Sequence, residues 1–348
     1  MHNKSKGSPY GVHRSLEPAG SLPQPAWKLD NTMEIWDNEI LIDVETLNID
    51  AASFRQMSEQ AGGDSRGIQD IILKTVADRG KQHNPVTGSG GMLVGKVARI
   101  GEALKGKIDL AVGDRIATLV SLSLTPLQIA EITAIRTETC QVDVTAQAVL
   151  FESGIYAKLP EDMPDKLALA VLDVAGAPAQ TAKIVQPGDT VLVIGGGGKS
   201  GLLCLHEAKK QAGPQGKVIA LDLTGSALAR IERAGSADII LQGDAKDSVA
   251  VLTKVSQATE GRLADITINC VDVPGTEMSS ILATRDEGLV YFFSMATSFT
   301  AAALGAEGVG KDVQMLIGNG YTKGHAEIAL NVLRESAALR EIFFDLYA

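Results

Sequence analysis

Seven residues near the middle of the chain, GGGGKSG at positions 195–201, join four consecutive glycines to a lysine, a serine and a fifth glycine. Glycine has no Cβ, so a phosphate group can approach the main chain closely there. The residues before this run, 191–194, are all apolar and predict a strand buried on both faces. Residues 202–210 have apolar side chains at helical spacing, and the first turn of a helix offers unpaired N–H groups to an anion. The order of strand, glycine turn and helix therefore predicts the phosphate-binding corner of a dinucleotide fold.

The glycines fit two spacings of the dinucleotide fingerprint, either G-x-G-x-x-G from Gly196 or G-x-x-G-x-x-G from Gly195. A second apolar strand, residues 217–223, contains Asp222, which lies 21 residues after the last glycine. An acid about 20 residues beyond the fingerprint accepts hydrogen bonds from the adenosine ribose. Since a carboxylate there also repels a 2′-phosphate, the sequence favours NAD over NADP. The less specific interpretation is that Asp222 only begins a turn and the glycines only form a loop. We predict cofactor contacts in these segments from Gly195, Gly197, Gly198, Lys199, Ser200, Gly201, Asp222 and Leu223.

Lys199 and Ser200 follow a glycine, as lysine and serine do at the end of a P-loop. That motif also needs a glycine five positions before the last one, and Val193 stands there. We therefore exclude an NTPase and expect Lys199 to contact a pyrophosphate.

Composition limits the class of protein. The chain has 348 residues, which predicts about two domains, and its net charge of −10 argues against nucleic-acid or anionic-membrane partners. The three cysteines contain no Cys-x-x-Cys pair, so we expect a reducing compartment and no zinc cluster. No apolar signal segment or 18-residue apolar run occurs, so we expect a cytoplasmic protein.

Two kinds of pattern divide the chain. Residues 84–151 contain short strands and glycine turns, which are typical of a small β-barrel-like domain. After a predicted helix at 167–185, strands and helices alternate, which predicts a doubly wound parallel sheet. We place a substrate domain at 1–160, joined by the C-terminal segment 323–348, and the dinucleotide domain at 161–322.

The junction PGDTVLVIGG at 187–196 and the turn Gly113-Asp114-Arg115-Ile116 resemble those of the medium-chain dehydrogenase/reductase superfamily. The resemblance implies an α/β protein, with a Rossmann domain following an N-terminal GroES-like, β-barrel-type catalytic domain. It also implies that main chain beside the nicotinamide ribose and ring is supplied by Cys270, Val271, Ser294 and Met295.

Zinc-binding members of that superfamily have a Cys in the segment held here by 48–50 and a His-Glu pair where this chain has 88–91. Neither ligand set occurs here, so we predict no metal. Within the superfamily the chain resembles a zinc-free branch, on the segments 10–31 and 84–95 and on the lysine in the glycine loop. That branch oxidatively deaminates L-erythro-3,5-diaminohexanoate in bacterial lysine fermentation. The implied products are 5-amino-3-oxohexanoate, ammonia and NADH, and the implied partner is a small diamino acid.

Oxidation of an amine needs a base that removes the ammonium proton, and without zinc a side chain must supply it. Asp173 is our first candidate, because the resemblance places its segment against the nicotinamide. Asn48 and Asp50 fill the stretch that holds the zinc Cys in relatives, so we expect them to point at the substrate. The alternative roles are a helix-surface or capping carboxylate for Asp173 and a helix cap for Asp50.

Two other functions fit the same motifs. One is a zinc-independent quinone or enoyl reductase that uses NAD(P)H, and the other is a non-catalytic NAD-binding sensor. Residues 317–320 resemble the edge strand through which superfamily members dimerise, so we expect a homodimer or higher homo-oligomer.

Overall fold

The computed structural model describes residues 6–318 and 320–347, so Asn319 of the predicted edge segment lies outside the described residues. The chain divides into two compact units, Met1–Pro160 and Glu161–Ala348. No helix of the described residues has both the length and the apolar character that crossing a bilayer requires.

The first unit is built on a six-stranded antiparallel sheet with the strand order β6-β7-β3-β4-β5-β8. Its core includes Ile42, Leu47 and Leu93 from the sheet, with Phe54 and Ile68 from two helices. Its strands are β1 Ser15–Glu17, β2 Lys28–Leu29, β3 Glu39–Asn48, β4 Met92–Ile100, β5 Arg115–Thr118, β6 Leu127–Arg136, β7 Gln141–Phe151 and β8 Tyr156–Lys158. Its α-helices are α1 Ala51–Gln60 and α2 Ser65–Arg79, and short 3₁₀ turns cover Val12–Arg14, Leu122–Leu124 and Thr137–Thr139.

The second unit is built on a six-stranded parallel sheet with the order β11-β10-β9-β12-β13-β14. Its strands are β9 Thr190–Ile194, β10 Lys217–Asp222, β11 Ile239–Gln242, β12 Ala264–Asn269, β13 Thr284–Phe292 and β14 Val313–Ile317. Its helices are α3 Asp165–Leu172, α4 Gly176–Ile184, α5 Lys199–Ala212, α6 Gly225–Ala234, α7 Ser248–Ala258, α8 Glu277–Ala283, α9 Phe299–Val309, α10 His325–Glu335 and α11 Ala337–Tyr347.

The direction in which the chain adds strands to this sheet reverses between β9 and β12, because the chain first builds outward to β11 and then returns to the other side of β9. Ligands of doubly wound folds bind at such a switch point, beyond the carboxyl ends of the strands. The predicted fold class, a doubly wound Rossmann sheet preceded by a β-rich domain, is confirmed.

The single helix predicted at 167–185 is interrupted in the structure, where α3 ends before Asp173 and α4 begins at Gly176. Pro178 explains the interruption, because it has no N–H and its ring would clash with the carbonyl of residue 174 in a continuous helix. In the first turn of a new helix neither problem arises, since the first N–H groups have no partner within the helix.

The placement of the C-terminal segment 323–348 also differs from the prediction that this segment joins the N-terminal domain. Its helix α10 contacts α3, α4 and α5, and α11 contacts α3 and α6, all in the second unit. Leu330 and Leu333 of α10 and Phe343 of α11 are buried there. The apolar faces of these two helices therefore find their partner in the helical layer of the Rossmann unit. Strand β14 is the outermost strand of the parallel sheet, and the expected homo-oligomer stays a prediction.

A fully buried ion pair joins the N-terminal segment to the sheet of the first unit. The Arg14 guanidinium donates to Glu39 through Nε at 2.9 Å and through Nη2 at 2.6 Å, and neither side chain is exposed. Burial by itself would raise the pKa of Glu39, but hydrogen bonds from His13 and Arg14 outweigh it and lower the pKa to about 2. The pair thus holds the N-terminal segment against Glu39, the first residue of β3.

We expect Glu39→Gln to destabilise the protein by about 3–5 kcal/mol, because it leaves the buried guanidinium with only the partly exposed Asp30 carboxylate, at 3.8 Å, as a counter-charge. The measurement is urea denaturation followed by circular dichroism. Glu45→Gln is the matched control, since its 2.8 Å pair with Arg115 is partly exposed and worth about 1 kcal/mol or less.

The pH dependence has a defined sign. Because folding lowers the pKa of Glu39 from its ordinary value of 4.5 to about 2, its contribution to stability is complete above pH 4.5 and is lost as the pH falls toward about 2. The stability difference between wild type and Glu39→Gln should therefore shrink over that interval. An equal difference at both ends would contradict the assignment.

Candidate active site

The glycine loop at the end of β9 is closed by main-chain contacts. Gly195 has a φ of 78°, which favours glycine, and its N–H donates to the Leu221 carbonyl at 2.9 Å. A Cβ on Gly201 would lie 2.1 Å from the Gly195 carbonyl oxygen, so the first turn of α5 packs directly on the loop. The structure therefore places the bare main chain and the helix N-terminus together, as phosphate binding requires.

The Asp222 carboxylate connects the second strand of the fingerprint to this loop. Its Oδ2 accepts a hydrogen bond from the Gly197 N–H at 2.9 Å, and its Oδ1 accepts one from the Leu223 N–H at 2.7 Å. Each carboxylate oxygen can accept a further hydrogen bond. The acid is thus fixed at the carboxyl end of β10 while it keeps capacity for ribose hydroxyls.

A cavity of about 240 Å³ lies over this corner of the second unit. Six predicted cofactor residues line it: Gly195, Gly198, Asp222, Leu223, Cys270 and Val271. A Cβ on Gly198 would meet its nearest neighbour only at 3.5 Å, so its surface toward a ligand is open. Backbone shape, the fixed acid and the cavity together fit the adenine dinucleotide that the sequence predicts.

The sequence analysis missed two residues that shape this cavity. Asn269, buried at the end of β12, donates to the hydroxyls of Thr276 and Ser280 at 2.9 Å and accepts from the Val271 N–H at 3.0 Å. It fixes the turn that holds Cys270 and Val271. Its signal was an amide at the carboxyl end of a strand, where doubly wound folds bind their ligands.

Arg230 of α6 is the second missed residue. Its side chain lines the cavity, and its Nε donates to the Gly197 carbonyl at 2.9 Å. An arginine near the ribose-binding acid adds positive charge to the same cavity. Positive charge at this position favours the 2′-phosphate of NADP. No spacing rule in the sequence singled it out.

The remaining predicted cofactor residues lie close to the loop or at the same sheet edge. Lys199 and Ser200 form the first turn of α5. Ser294 and Met295 follow β13, and Met295 is 83% exposed. Neither of these last two lines the cavity of the glycine corner, and their contact with a nicotinamide stays a prediction.

Asp173 is half-exposed and pairs with the lysine of the loop, at 2.9 Å between Asp173 Oδ2 and Lys199 Nζ. The lysine ammonium also lies 5.0 Å from the centre of the Tyr347 ring, at the end of α11. A cation at a helix N-terminus is unfavourable by itself, so the aspartate offsets the helix dipole there. The structure thus brings the first candidate base and the loop lysine together, a pairing that the sequence analysis did not foresee.

The first unit holds the other two candidates. Asp50 caps α1, accepting from the Ser53 N–H at 2.9 Å through Oδ1, while its Oδ2 is buried without a hydrogen-bond partner. Asn48 ends β3 and accepts from Gln141 Nε2 at 3.2 Å. A Cβ on Gly91 would lie 2.1 Å from the Asn48 carbonyl oxygen. The two stretches that carry zinc ligands in relatives are therefore adjacent here, with amide and carboxylate groups in place of Cys and His.

Within residues 6–318 and 320–347, one group of side chains could share a metal ion: His206, Glu207 and Glu335. It lies on α5 and α10, and Lys210 already donates to Glu335 at 2.6 Å. The lysine supplies the cation that balances these acids. The expectation of a metal-free site stays a prediction.

Together, the glycine corner on a parallel sheet and the antiparallel N-terminal unit give this chain the fold of the medium-chain dehydrogenases/reductases. The likeness extends to a solved structure of a mycobacterial quinone oxidoreductase, with a TM-score of 0.52 at 18% identity over 89% of this chain and 82% of that one. At this identity the likeness shows the fold alone.

Sequence relatives give the family. A profile described as the L-erythro-3,5-diaminohexanoate dehydrogenase N-terminal domain matches residues 13–160. Proteins named L-erythro-3,5-diaminohexanoate dehydrogenase are 60% identical in Acetoanaerobium sticklandii and 57% identical in Fusobacterium nucleatum subsp. nucleatum. Each alignment covers 342 residues, 98% of this chain and 99% of the relative.

The chain belongs to the L-erythro-3,5-diaminohexanoate dehydrogenase family. It is an oxidoreductase that uses a nicotinamide cofactor, which confirms the expectation of a dehydrogenase.

Two glycine variants separate packing from ligand contact in the loop. Gly201→Ala should lower the stability by about 1–3 kcal/mol, because its Cβ would overlap the Gly195 carbonyl oxygen. Gly198→Ala should fold like wild type, since its Cβ has room, but should bind NADH more weakly because that Cβ fills space left for a phosphate.

Thermal melting and fluorescence titration with NADH measure these two effects. Wild-type NADH affinity in Gly198→Ala would show that the loop does not face the cofactor.

Proposed function

We propose that this chain oxidatively deaminates L-erythro-3,5-diaminohexanoate at C3, with NAD as the hydride acceptor. The products are 5-amino-3-oxohexanoate, ammonia and NADH, and water supplies the keto oxygen. The observation that carries this proposal is identity over nearly the full length of two dehydrogenases named for that substrate. NAD, when bound, accepts the hydride that leaves C3.

The preference for NAD rests on Asp222. Two backbone N–H groups donate to its carboxylate and fix the position of the carboxylate at the end of β10. A fixed negative charge attracts ribose hydroxyls and repels a 2′-phosphate. Arg230 lines the same cavity and opposes this preference, but its Nε is engaged by the Gly197 carbonyl.

Asp50 supports recognition of a cationic substrate. A buried acceptor without a hydrogen-bond donor costs about 1–3 kcal/mol of free energy. A ligand that donates a hydrogen bond to Asp50 Oδ2 should therefore be bound more tightly. An ammonium group is such a donor, and its charge strengthens the hydrogen bond. We assign to Asp50 the binding of a substrate ammonium, and to the neighbouring Asn48 amide a polar contact with the same molecule.

Asp173 is the proposed base. Its carboxylate can accept the proton of the C3 ammonium before hydride leaves, and can return it to the nitrogen when ammonia departs from the water adduct. Lys199 holds the carboxylate in one position through the 2.9 Å pair. The same lysine stands in the first turn of α5, where a pyrophosphate would attract it. Pairing with Asp173 thus connects the proposed base to the cofactor loop.

A steady-state assay with the purified chain tests the function. L-erythro-3,5-diaminohexanoate and NAD should yield NADH and ammonia in equal amounts. NADPH oxidation by a quinone or an enone, without reaction of the diamino acid, would favour the reductase. Binding of NAD without turnover of any amine or ketone would favour the sensor.

Replacing the acid of the second strand tests cofactor choice. Asp222→Asn should lower the ratio of kcat/KM for NAD to kcat/KM for NADP by about tenfold to a hundredfold, because charge-assisted hydrogen bonds are worth about 1.5–3 kcal/mol. Asp244→Asn is the matched control, since Asp244 lines the same cavity and should leave the ratio nearly unchanged. An unaltered ratio in Asp222→Asn would remove the basis for NAD preference.

The role of Asp173 is separable from that of Lys199. Asp173→Asn should lower kcat by about 10²–10⁴-fold, the usual contribution of a general base, with little change in the KM for NAD. Lys199→Gln should chiefly raise the KM for NAD. Asp162→Asn, which breaks the 2.9 Å ion pair with Arg334 on another part of the second unit, is the control. If Asp173→Asn raised the KM for NAD and left kcat unchanged, the aspartate would only position the lysine.

A further inference from the structure

Two of the three free thiols lie in contact beside the dinucleotide corner. The Sγ atoms of Cys204 and Cys270 are 3.9 Å apart, and no disulfide joins them. Cys204 lies on α5 and is fully buried, whereas Cys270 directly follows β12, is partly exposed and lines the cavity. The third thiol, Cys140, belongs to the other unit.

We propose that Cys204 and Cys270 form a site of reversible oxidation, at which a hydroperoxide converts the two thiols to a disulfide. In the first step the Cys270 sulfur attacks a peroxide oxygen, the O–O bond breaks, and a sulfenic acid and water (or an alcohol) form. In the second step the Cys204 sulfur attacks the Cys270 sulfur, the S–S bond forms, and the S–OH oxygen leaves as water with the Cys204 proton. Two thiols lose two electrons and the peroxide gains two.

Burial decides the order of these steps. Desolvation holds the pKa of Cys204 well above its usual range, so this thiol does not react first with an oxidant in solution. Cys270 is reachable through the cavity of about 240 Å³, which admits a molecule as small as hydrogen peroxide. Once Cys270 is a sulfenic acid, the neighbouring thiol is already in contact with it and need not diffuse.

The disulfide would also move the cofactor corner. An S–S bond is about 2.05 Å long, so the two sulfurs must approach by roughly 2 Å. The Cys270 N–H donates to the Ile194 carbonyl at 2.9 Å, and a Cβ on Gly195 would lie 3.1 Å from Val271 N. Displacement of Cys270 therefore shifts the wall that faces the glycine loop. This second consequence, lower dinucleotide affinity, rests on the proposed function, whereas the disulfide does not.

The test treats the purified full-length chain with hydrogen peroxide and counts thiols with a maleimide under denaturing conditions. The count should fall from three to one, and a non-reducing peptide map should show Cys204 joined to Cys270. Dithiothreitol should restore all three thiols. Retention of both thiols, or oxidation of Cys270 to a sulfinic acid while Cys204 stays reduced, would overturn the proposal.

Two variants complete the experiment. Cys140→Ser should form the same crosslink, and Cys204→Ala should oxidise at Cys270 without a crosslink and without recovery from the sulfinic state. Thermal melting verifies that both variants are folded. A crosslink that includes Cys140 in the wild-type chain would contradict the assignment.

NADH titration of the oxidised and reduced chains separates the two proposals. We expect a several-fold weaker affinity after oxidation, and NADH added beforehand should slow the crosslink. A crosslink in a chain that never binds NADH would refute the proposed function and leave the thiol site intact. A crosslink with unchanged NADH affinity would refute the coupling to the cofactor corner.

Discussion

The hydrogen bond between Asp222 and the Gly197 N–H is the interaction on which the site of the second unit depends. It holds the end of β10 against the loop that follows β9, so that the ribose-binding acid and the phosphate-binding main chain form one surface. Gly201 makes this possible because any side chain there would strike the Gly195 carbonyl. The parallel pairing of β9 with β10 and β12 then brings Val271 to the opposite wall.

Charge at this corner is balanced locally. Lys199 adds a cation to the positive end of α5, and Asp173 and the face of Tyr347 compensate it. The aromatic ring belongs to α11, which also forms ion pairs from Glu341 and Asp345 to Arg233. The last helix of the chain thus supports the first turn of the dinucleotide helix, although nearly 150 residues separate Lys199 from Tyr347 in sequence.

Local signals allowed the corner to be predicted from sequence. The apolar run before Gly195, the glycines and the acid at Asp222 are short-range features, and each depends on backbone conformation at its own position. The break between α3 and α4 also had a local signal in Pro178, which the prediction of one helix at 167–185 did not take into account. Helix boundaries of this kind are the feature of a structure that local sequence propensity predicts least well.

Pairings between distant segments could not be predicted in the same way. The contact of Lys199 with Asp173, the thiol pair and the buried bond of Arg14 with Glu39 each join residues of different elements. Periodicity identifies the face of an element that is buried but does not name the residue it meets. For the same reason nothing in the sequence indicated that the helix α10 packs on α3, α4 and α5.

Calorimetric titration with ADP-ribose, the part of NAD that lacks the nicotinamide, tests the central claim most directly. The glycine loop and Asp222 should bind one ADP-ribose per chain in competition with NADH, and should bind the 2′-phosphorylated form more weakly. An absence of ADP-ribose binding, or tighter binding of the 2′-phosphorylated form, would contradict the account of this corner.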